Sequence, residues 1–303
     1  MGHFMTFLWQ NPSWPSFYWT HGSFLNALVK ARHNQGRLLA LGQNFVHSFE
    51  MIEQRKSIFS DWFVPGLSEE RLLGWQASLF PTGFAGIKRV KVGAYRTKDI
   101  NRMLMPAAQL PQETARFLQW WSEAPADLDP AIKSAIACFW FLVLSPFEAG
   151  NQTLAAALGE KVLIENEDLT FRTYDLALQI EENEARIQEL LAETAQGDGD
   201  LTNWISFYID TVNVAVESAL AVSEQKNDSQ NFWQQLAKFD LNFRQRKILA
   251  LMFEEKGTMT NRRYVEICKT SRESAKRDLT ALLKLQILKS SSTKGRSVFY
   301  QLA

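Results

Sequence analysis

The residues best placed to do chemistry lie in one short run, Ser145-Pro146-Phe147-Glu148-Ala149-Gly150-Asn151-Gln152-Thr153. Pro146 ends a preceding helix, and Gly150-Asn151 supplies a tight turn before a second helix begins. A turn leading into a helix N-terminus is a phosphate cradle, because unpaired N–H groups and the helix dipole face it. Glu148 is the one carboxylate in the run, and so the one side chain there for a metal. No histidine is near it: His3, His21, His33 and His47 all lie far upstream. The other chemistry-bearing group is cationic. Arg262, Arg263, Arg272, Lys276, Arg277, Lys294 and Arg296 crowd the C-terminal end, a pattern suited to nucleic-acid phosphates.

The elements that must hold the run follow from the flanking sequence. From Ile132 to Leu144 only Lys133 and Ser134 are strongly polar, so this segment reads as a helix buried all round. Thirteen residues are too few to cross a bilayer. The helix after the turn, LAAALGEKVL, is also apolar. Taken alone, the run is a Pro-broken helix pair.

The run also resembles the signature of Fic (Fido) proteins, HPFx[D/E]GNGR. Pro146, Phe147, Gly150 and Asn151 match it, while Ser145, Ala149, Gln152 and Thr153 replace the His, the acid, the second Gly and the Arg. The resemblance implies a helical core that transfers AMP from ATP to a protein hydroxyl, with His as base, the acid on Mg²⁺, Gly-Asn-Gly around phosphates and Arg clamping them. Phe147, Gly150 and Asn151 would then be the surviving cofactor-binding positions, and Ser145, Ala149 and Thr153 the motif-equivalent catalytic ones. A positioned base is worth roughly 10²–10⁴ in rate, and metal and phosphate clamps supply much of the rest. Glu148 stands one position early and should point elsewhere. A Fic scaffold without transfer activity is therefore expected, with no catalytic or metal-binding residue and at most weak binding of ATP or another nucleotide.

Further fragments carry the same resemblance. Trp9 to Trp19 is rich in aromatics and Pro and should pack on a body; with the helix through Leu25, Leu28, Val29 and Leu38 to Leu41 it looks like the N-terminal extension of one Fic branch. Phe49-Glu50-Met51-Ile52-Glu53-Gln54 is the nearest match to that branch's inhibitory motif, with Glu53 as its acid; the other reading of Glu53 is a solvated helix residue. Residues 79–96, with Val90 and Val92 alternating with Arg89 and Lys91, read as a β-hairpin resembling the Fic flap, which holds a target segment by strand addition. The hairpin is equally consistent with a purely structural role. Phe117, Leu118, Trp120 and Trp121 form an aromatic helix face for the core. Glu181, Glu182, Glu184 and Glu189 read as a solvated face. Asp200-Leu201-Thr202 caps a helix expected to end near Val222.

The polar stretch EQKNDSQ, residues 224–230, is expected to link the domains. Beyond it come a helix from Asn242, a second from Thr260, a third capped by Ser271, and two strands around Thr293 to Arg296. This resembles a winged helix-turn-helix, whose third helix enters the major groove. Residues 240–303 hold 14 Lys and Arg against 6 Asp and Glu, on an otherwise acidic chain of zero net charge. That asymmetry favours an anionic partner for this end, DNA first.

Of 303 residues, 46% are apolar and 22% charged, which fits a globular protein. With no run of eighteen apolar residues and no signal-like N-terminus, a cytoplasmic protein without membrane contact is expected, and the resemblance implies a bacterial one. Cys138 and Cys268 lack metal-like spacing and read as buried thiols. The fold class expected is mainly α, in three parts: extension and flap over 1–105, Fic-like helical core over 106–225, winged helix over 226–303. The function expected is an inactive Fic body acting as a regulatory or binding protein, with DNA on residues 240–303. The flap, 83–96, is a candidate protein-binding edge, and a homodimer is a further candidate assembly. The alternative is a residual adenylyltransferase using ATP, Mg²⁺ and Glu148 on a remodelled loop.

Overall fold

The computed structural model describes residues 7–41, 66–167, 174–291 and 298–303. The chain is mainly α and divides into two units, Met1–Ser223 and Glu224–Ala303. The helices are α1 (Leu25–Leu41), α2 (Glu69–Leu79), α3 (Leu110–Glu123), α4 (Pro130–Leu144), α5 (Asn151–Glu167), α6 (Leu176–Glu182), α7 (Glu184–Ala195), α8 (Thr202–Leu236), α9 (Phe243–Glu255), α10 (Asn261–Cys268) and α11 (Arg272–Lys284). The strands are β1 (Phe84–Ala85), β2 (Lys88–Arg89), β3 (Met259–Thr260), β4 (Leu288–Ser290) and β5 (Phe299–Leu302).

In the first unit α4 is the axis. Asp129 caps it by accepting from Ala131 N–H, and Pro130 opens its first turn. Every residue from Ala131 to Leu144 except Lys133 is buried, as an all-round apolar helix requires. Aromatic rings from other elements close on it: Trp14, Phe17, Phe117 and Trp120 all stack on Trp140, in part edge-to-face. Trp14 also donates from Nε1 to Glu113 at 2.8 Å, which pins the N-terminal segment to α3. The aromatic face of α3 behaves as its pattern predicts, with Phe117 and Trp121 buried.

The approach of α4 to α5 depends on Gly159. Ser134 Oγ donates to the Gly159 carbonyl at 2.8 Å and lies 2.8 Å from the Tyr208 hydroxyl of α8. A Cβ on Gly159 would stand 2.0 Å from that hydroxyl. Burial pushes the Cys138 thiol on α4 up to about 12, so it is inert. Cys268 is only half-buried, because α10 turns its last residue toward the surface.

One expectation needs correction: the helix read as ending near Val222 runs on to Leu236. The polar stretch 224–230 is helical, because α8 continues to Leu236 and the unit boundary at Ser223 falls inside it. Its Glu, Gln and Lys are good helix formers, so a polar run need not be a loop. By length and composition Thr202–Glu224 is also apolar enough to cross a membrane, though half of it is buried in the fold. Trp204 Nε1 donates to the Ala135 carbonyl at 2.8 Å and Asn213 accepts from Asn34 at 2.9 Å, bonds typical of a core helix.

In the second unit α9, α10 and α11 pack with a three-stranded antiparallel sheet ordered β3-β5-β4. Thr260 and Ser271 cap α10 and α11 as read from the sequence. The strand β3, paired Met259 to Tyr300, adds to the two strands expected; two residues are too short to leave an alternation signal.

Gly159→Ala should destabilise the first unit by about 1–3 kcal/mol, the usual cost of overpacking. Gly36→Ala, in the interior of α1 with no atom near the added methyl, should stabilise by about 0.5–1 kcal/mol. Paired thermal melts of the two variants check both signs.

Candidate functional site

The motif run forms a corner between α4 and α5. Ser145 ends α4 in the left-handed region, with φ 37° and ψ 61°. Its hydroxyl is buried and donates back to the Leu142 carbonyl at 2.6 Å. The corner is held by Arg96, a guanidinium with almost no exposed surface. Arg96 donates from Nε to the Ser145 carbonyl at 2.8 Å and from Nη2 to the carbonyls of Leu144 and Met105. Nη1 donates to the Lys98 carbonyl at 2.9 Å, and the Arg96 amide donates to the Pro146 carbonyl at 2.9 Å. Desolvation lowers the pKa of this guanidinium while Asp99 opposes the shift; an arginine stays protonated nonetheless. A fixed cation at the end of α4 satisfies carbonyls that the helix itself leaves unpaired.

Asn151 closes the other half of the corner. Its Oδ1 accepts from the Phe147 amide at 3.0 Å and its Nδ2 donates to the Phe147 carbonyl at 2.8 Å. Phe147 is fully buried, against Tyr95 and Phe141. Gly150 has φ +88°, which glycine alone adopts without strain. Its other face is filled, since a Cβ there would meet Phe80 Cε2 at 2.9 Å and Leu79 Cδ1 at 3.0 Å. Glu148 does point away from the turn: Oε2 accepts from the Lys91 amide at 3.0 Å. Gln76 completes that clasp, donating to the Lys91 carbonyl at 3.2 Å and accepting from the Gly93 amide at 2.6 Å. Ala149 and Thr153 are half-buried beside the turn.

The flap is therefore anchored to the motif run. Its paired part is shorter than the alternation predicts, covering only Phe84↔Arg89 and Ala85↔Lys88. Val90, expected in a strand, is buried, with its amide on the Gly83 carbonyl at 3.0 Å. His21 accepts from Trp19 Nε1 at 3.1 Å and His33 is exposed on α1, so neither attends the corner. His3, His47 and the stretch Phe49 to Gln54 with Glu53 lie outside the described residues. Among the described residues no three His, Cys, Asp or Glu side chains gather as metal ligands.

The seven C-terminal cations separate into three groups. Arg272, Lys276 and Arg277 are exposed on α11, with no ion pair among the described residues. Arg262 pairs with Glu266 at 3.0 Å, and Arg263 pairs with Glu255 and donates to the Thr258 carbonyl. Lys294 and Arg296 lie outside the described residues. What orients α11 is a carboxylate on its buried side. Asp278 accepts from Arg244 Nε at 2.8 Å, Tyr264 Oη at 2.9 Å and Asn242 Nδ2 at 3.1 Å. One buried anion thus ties α9, α10 and α11 together. Nothing local in the chain hints at this role, because its three partners are 14 to 36 residues away.

Residues 66–163 match the family model described as Fic/DOC family, the stretch that contains flap, α4, motif corner and the start of α5. Residues 66–163 are thus a Fic/DOC-family domain. Residues 7–59 match a domain of unknown function, DUF4172. Solved structures with a similar fold include a Fic family protein from Desulfovibrio desulfuricans, 14% identical, covering 93% of this chain and 85% of that one with TM-score 0.49. A Fic-1 structure from C. elegans is 16% identical, covering 68% and 64%, with TM-score 0.47. A Fic domain containing signaling protein from Bacteroides thetaiotaomicron is 14% identical, covering 67% and 85%, with TM-score 0.45. At such scores the family assignment rests on the sequence match. No curated protein matches the chain.

Burial pushes the Asp278 carboxyl up, but hydrogen bonds from Arg244, Tyr264 and Asn242 outweigh it and hold the group below its usual 3.8. A carboxylate depressed in the folded state stabilises fully above its unfolded value and loses that contribution as pH falls through the folded one. The second unit should therefore weaken as pH drops below 3.8. Asp278→Asn should cost about 3 kcal/mol at neutral pH and flatten that acid dependence. Denaturant titrations at several pH values, followed by the NMR signal of the Trp233 indole N–H, check both.

Proposed function

We propose that this chain, with its Fic/DOC-family domain, does not transfer AMP and works as a regulatory protein whose C-terminal unit binds DNA. The observation that carries the reading is the state of the motif corner. Three of its polar side chains are spent on the protein itself: Ser145 on α4, Asn151 on Phe147, and Glu148 on the flap backbone. A serine hydroxyl bonded into its own helix is no general base at neutral pH. No guanidinium reaches outward from this run either, since Thr153 stands at its end and Arg96 is committed to carbonyls beneath it. The first N–H groups of α5 still lack helix partners, which supports weak nucleotide affinity as the residue of an older site.

For the C-terminal unit, three helices, a small antiparallel sheet and the exposed row Arg272, Lys276, Arg277 support a winged-helix reader with α11 toward the groove. Arg262 and Arg263 are secondary in this reading, because each would have to leave a carboxylate to meet a phosphate. The alternative, a residual adenylyltransferase through Glu148, requires that carboxylate to leave the Lys91 amide.

An AMP-transfer assay run beside a Mg²⁺-ATP titration tests the first half. The natural chain should give no label above background, and a chain carrying Ser145→His, Ala149→Asp, Gln152→Gly and Thr153→Arg should gain it. Label on the natural chain that vanishes in Glu148→Ala would instead establish the alternative. For the second half, duplex DNA affinity should fall steeply with salt. Arg272→Ala with Lys276→Ala should lower the affinity, and should lower the salt slope by about one unit for each phosphate no longer neutralised.

A further inference from the structure

Among the exposed charged residues of α11, which are Arg272, Glu273, Lys276, Arg277 and Lys284, one is an acid. Its place on the helix is unusual for a surface that is to meet phosphates. The buried residues Ala275, Asp278, Leu279 and Leu282 mark the inner face of α11. At about 3.6 residues per turn, Glu273 falls about 170° from the middle of that face. It shares the outermost ridge with Arg277, Thr280 and Lys284, all exposed. Arg272 and Lys276 lie to one flank, about 70° and 110° from the same middle. The Glu273 side chain has no hydrogen bond or ion pair among the described residues. An acid in the first turn suits the helix dipole, but that account is indifferent to which face the acid takes.

We propose that Glu273 is a specificity-determining residue of the C-terminal unit and selects a cytosine in the major groove. The proposal deepens the DNA reading of that unit and rests on it. With α11 in the groove, the flanking cations meet phosphates and the outward residues of its N-terminal turns meet base edges. A carboxylate in that position faces a polyanion and gives up water, so it is tolerated only against a hydrogen-bond donor. The major-groove edge offers donors on two bases, at cytosine N4 and adenine N6. Adenine sets its N7 acceptor beside N6 and repels the second carboxylate oxygen. Guanine presents two acceptors, and thymine an acceptor and a methyl group. Cytosine is the base that satisfies the acid without opposing it. Its guanine partner presents O6 and N7, the acceptors that suit a guanidinium, and Arg277 stands one turn along the same ridge. Glu273 thus works by rejecting wrong bases, at some cost to general affinity.

The test is selection of random duplexes on the full chain at low salt, followed by binding titrations with Glu273→Ala and Glu273→Gln. The expected result is a selected site with an essential C·G pair. Changing that pair to T·A should weaken binding by the natural chain about tenfold or more, and should leave Glu273→Ala nearly indifferent. Glu273→Ala should also bind unrelated duplexes more tightly than the natural chain, because an anion has left a surface that faces phosphates. Glu273→Gln should shift the preference from cytosine to adenine, whose N6 and N7 suit an amide. A merely structural role predicts none of these signs, since damage to α11 lowers affinity for every sequence alike; circular dichroism and melts of both variants check that they fold. Selected sites without a C·G pair, or a C·G preference that Glu273→Ala retains, would overturn the proposal and leave the DNA reading standing. No duplex retained at low salt would overturn both.

Discussion

One buried cation sets the shape of the motif corner. A helix as apolar as α4 must stop inside the protein, and its last carbonyls then face no water. Arg96 meets them with a charge-assisted donor set and also binds Pro146 through its own amide. Because Arg96 follows directly from the flap segment, the same set of bonds fixes where the flap leaves the body. Everything else at the corner is local elaboration: the Asn151 ring closure, the left-handed Gly150 and the Glu148 clasp on Lys91.

This explains how the motif can keep its form where its chemistry-bearing positions are replaced. Positions whose side chains build the corner, Pro146, Phe147, Gly150 and Asn151, carry the residues the family signature requires. The positions that would act on a substrate carry Ser145, Ala149 and Thr153. Asn151 shows why the division holds: its amide bonds both polar groups of Phe147, so it has structural work whether or not phosphate ever arrives. Glu148 is engaged in the same way, by a backbone amide within reach.

The fold is largely legible in the sequence because its strongest signals are long. The apolar run of α4, the aromatic face of α3 and the caps Thr260 and Ser271 each leave a periodic or positional trace. What escapes reading is decided by neighbours distant in sequence. Arg96 reads only as the last residue of the flap segment, and nothing local shows that its side chain turns inward. Arg262 and Arg263 read the same as Arg272 and Lys276 along the chain; only the folded helices set Glu266 and Glu255 beside them. The stretch 224–230 misleads for the opposite reason: polar composition is shared by linkers and by solvated helices.

The central claim is that the corner is complete without a nucleotide. Amide hydrogen exchange at Phe147 and Lys91 measures this directly, because Asn151 and Glu148 are the acceptors that protect them. The account predicts slow exchange at both amides in the free chain, unchanged by millimolar Mg²⁺-ATP. Fast exchange in the free chain that slows on adding Mg²⁺-ATP would contradict it.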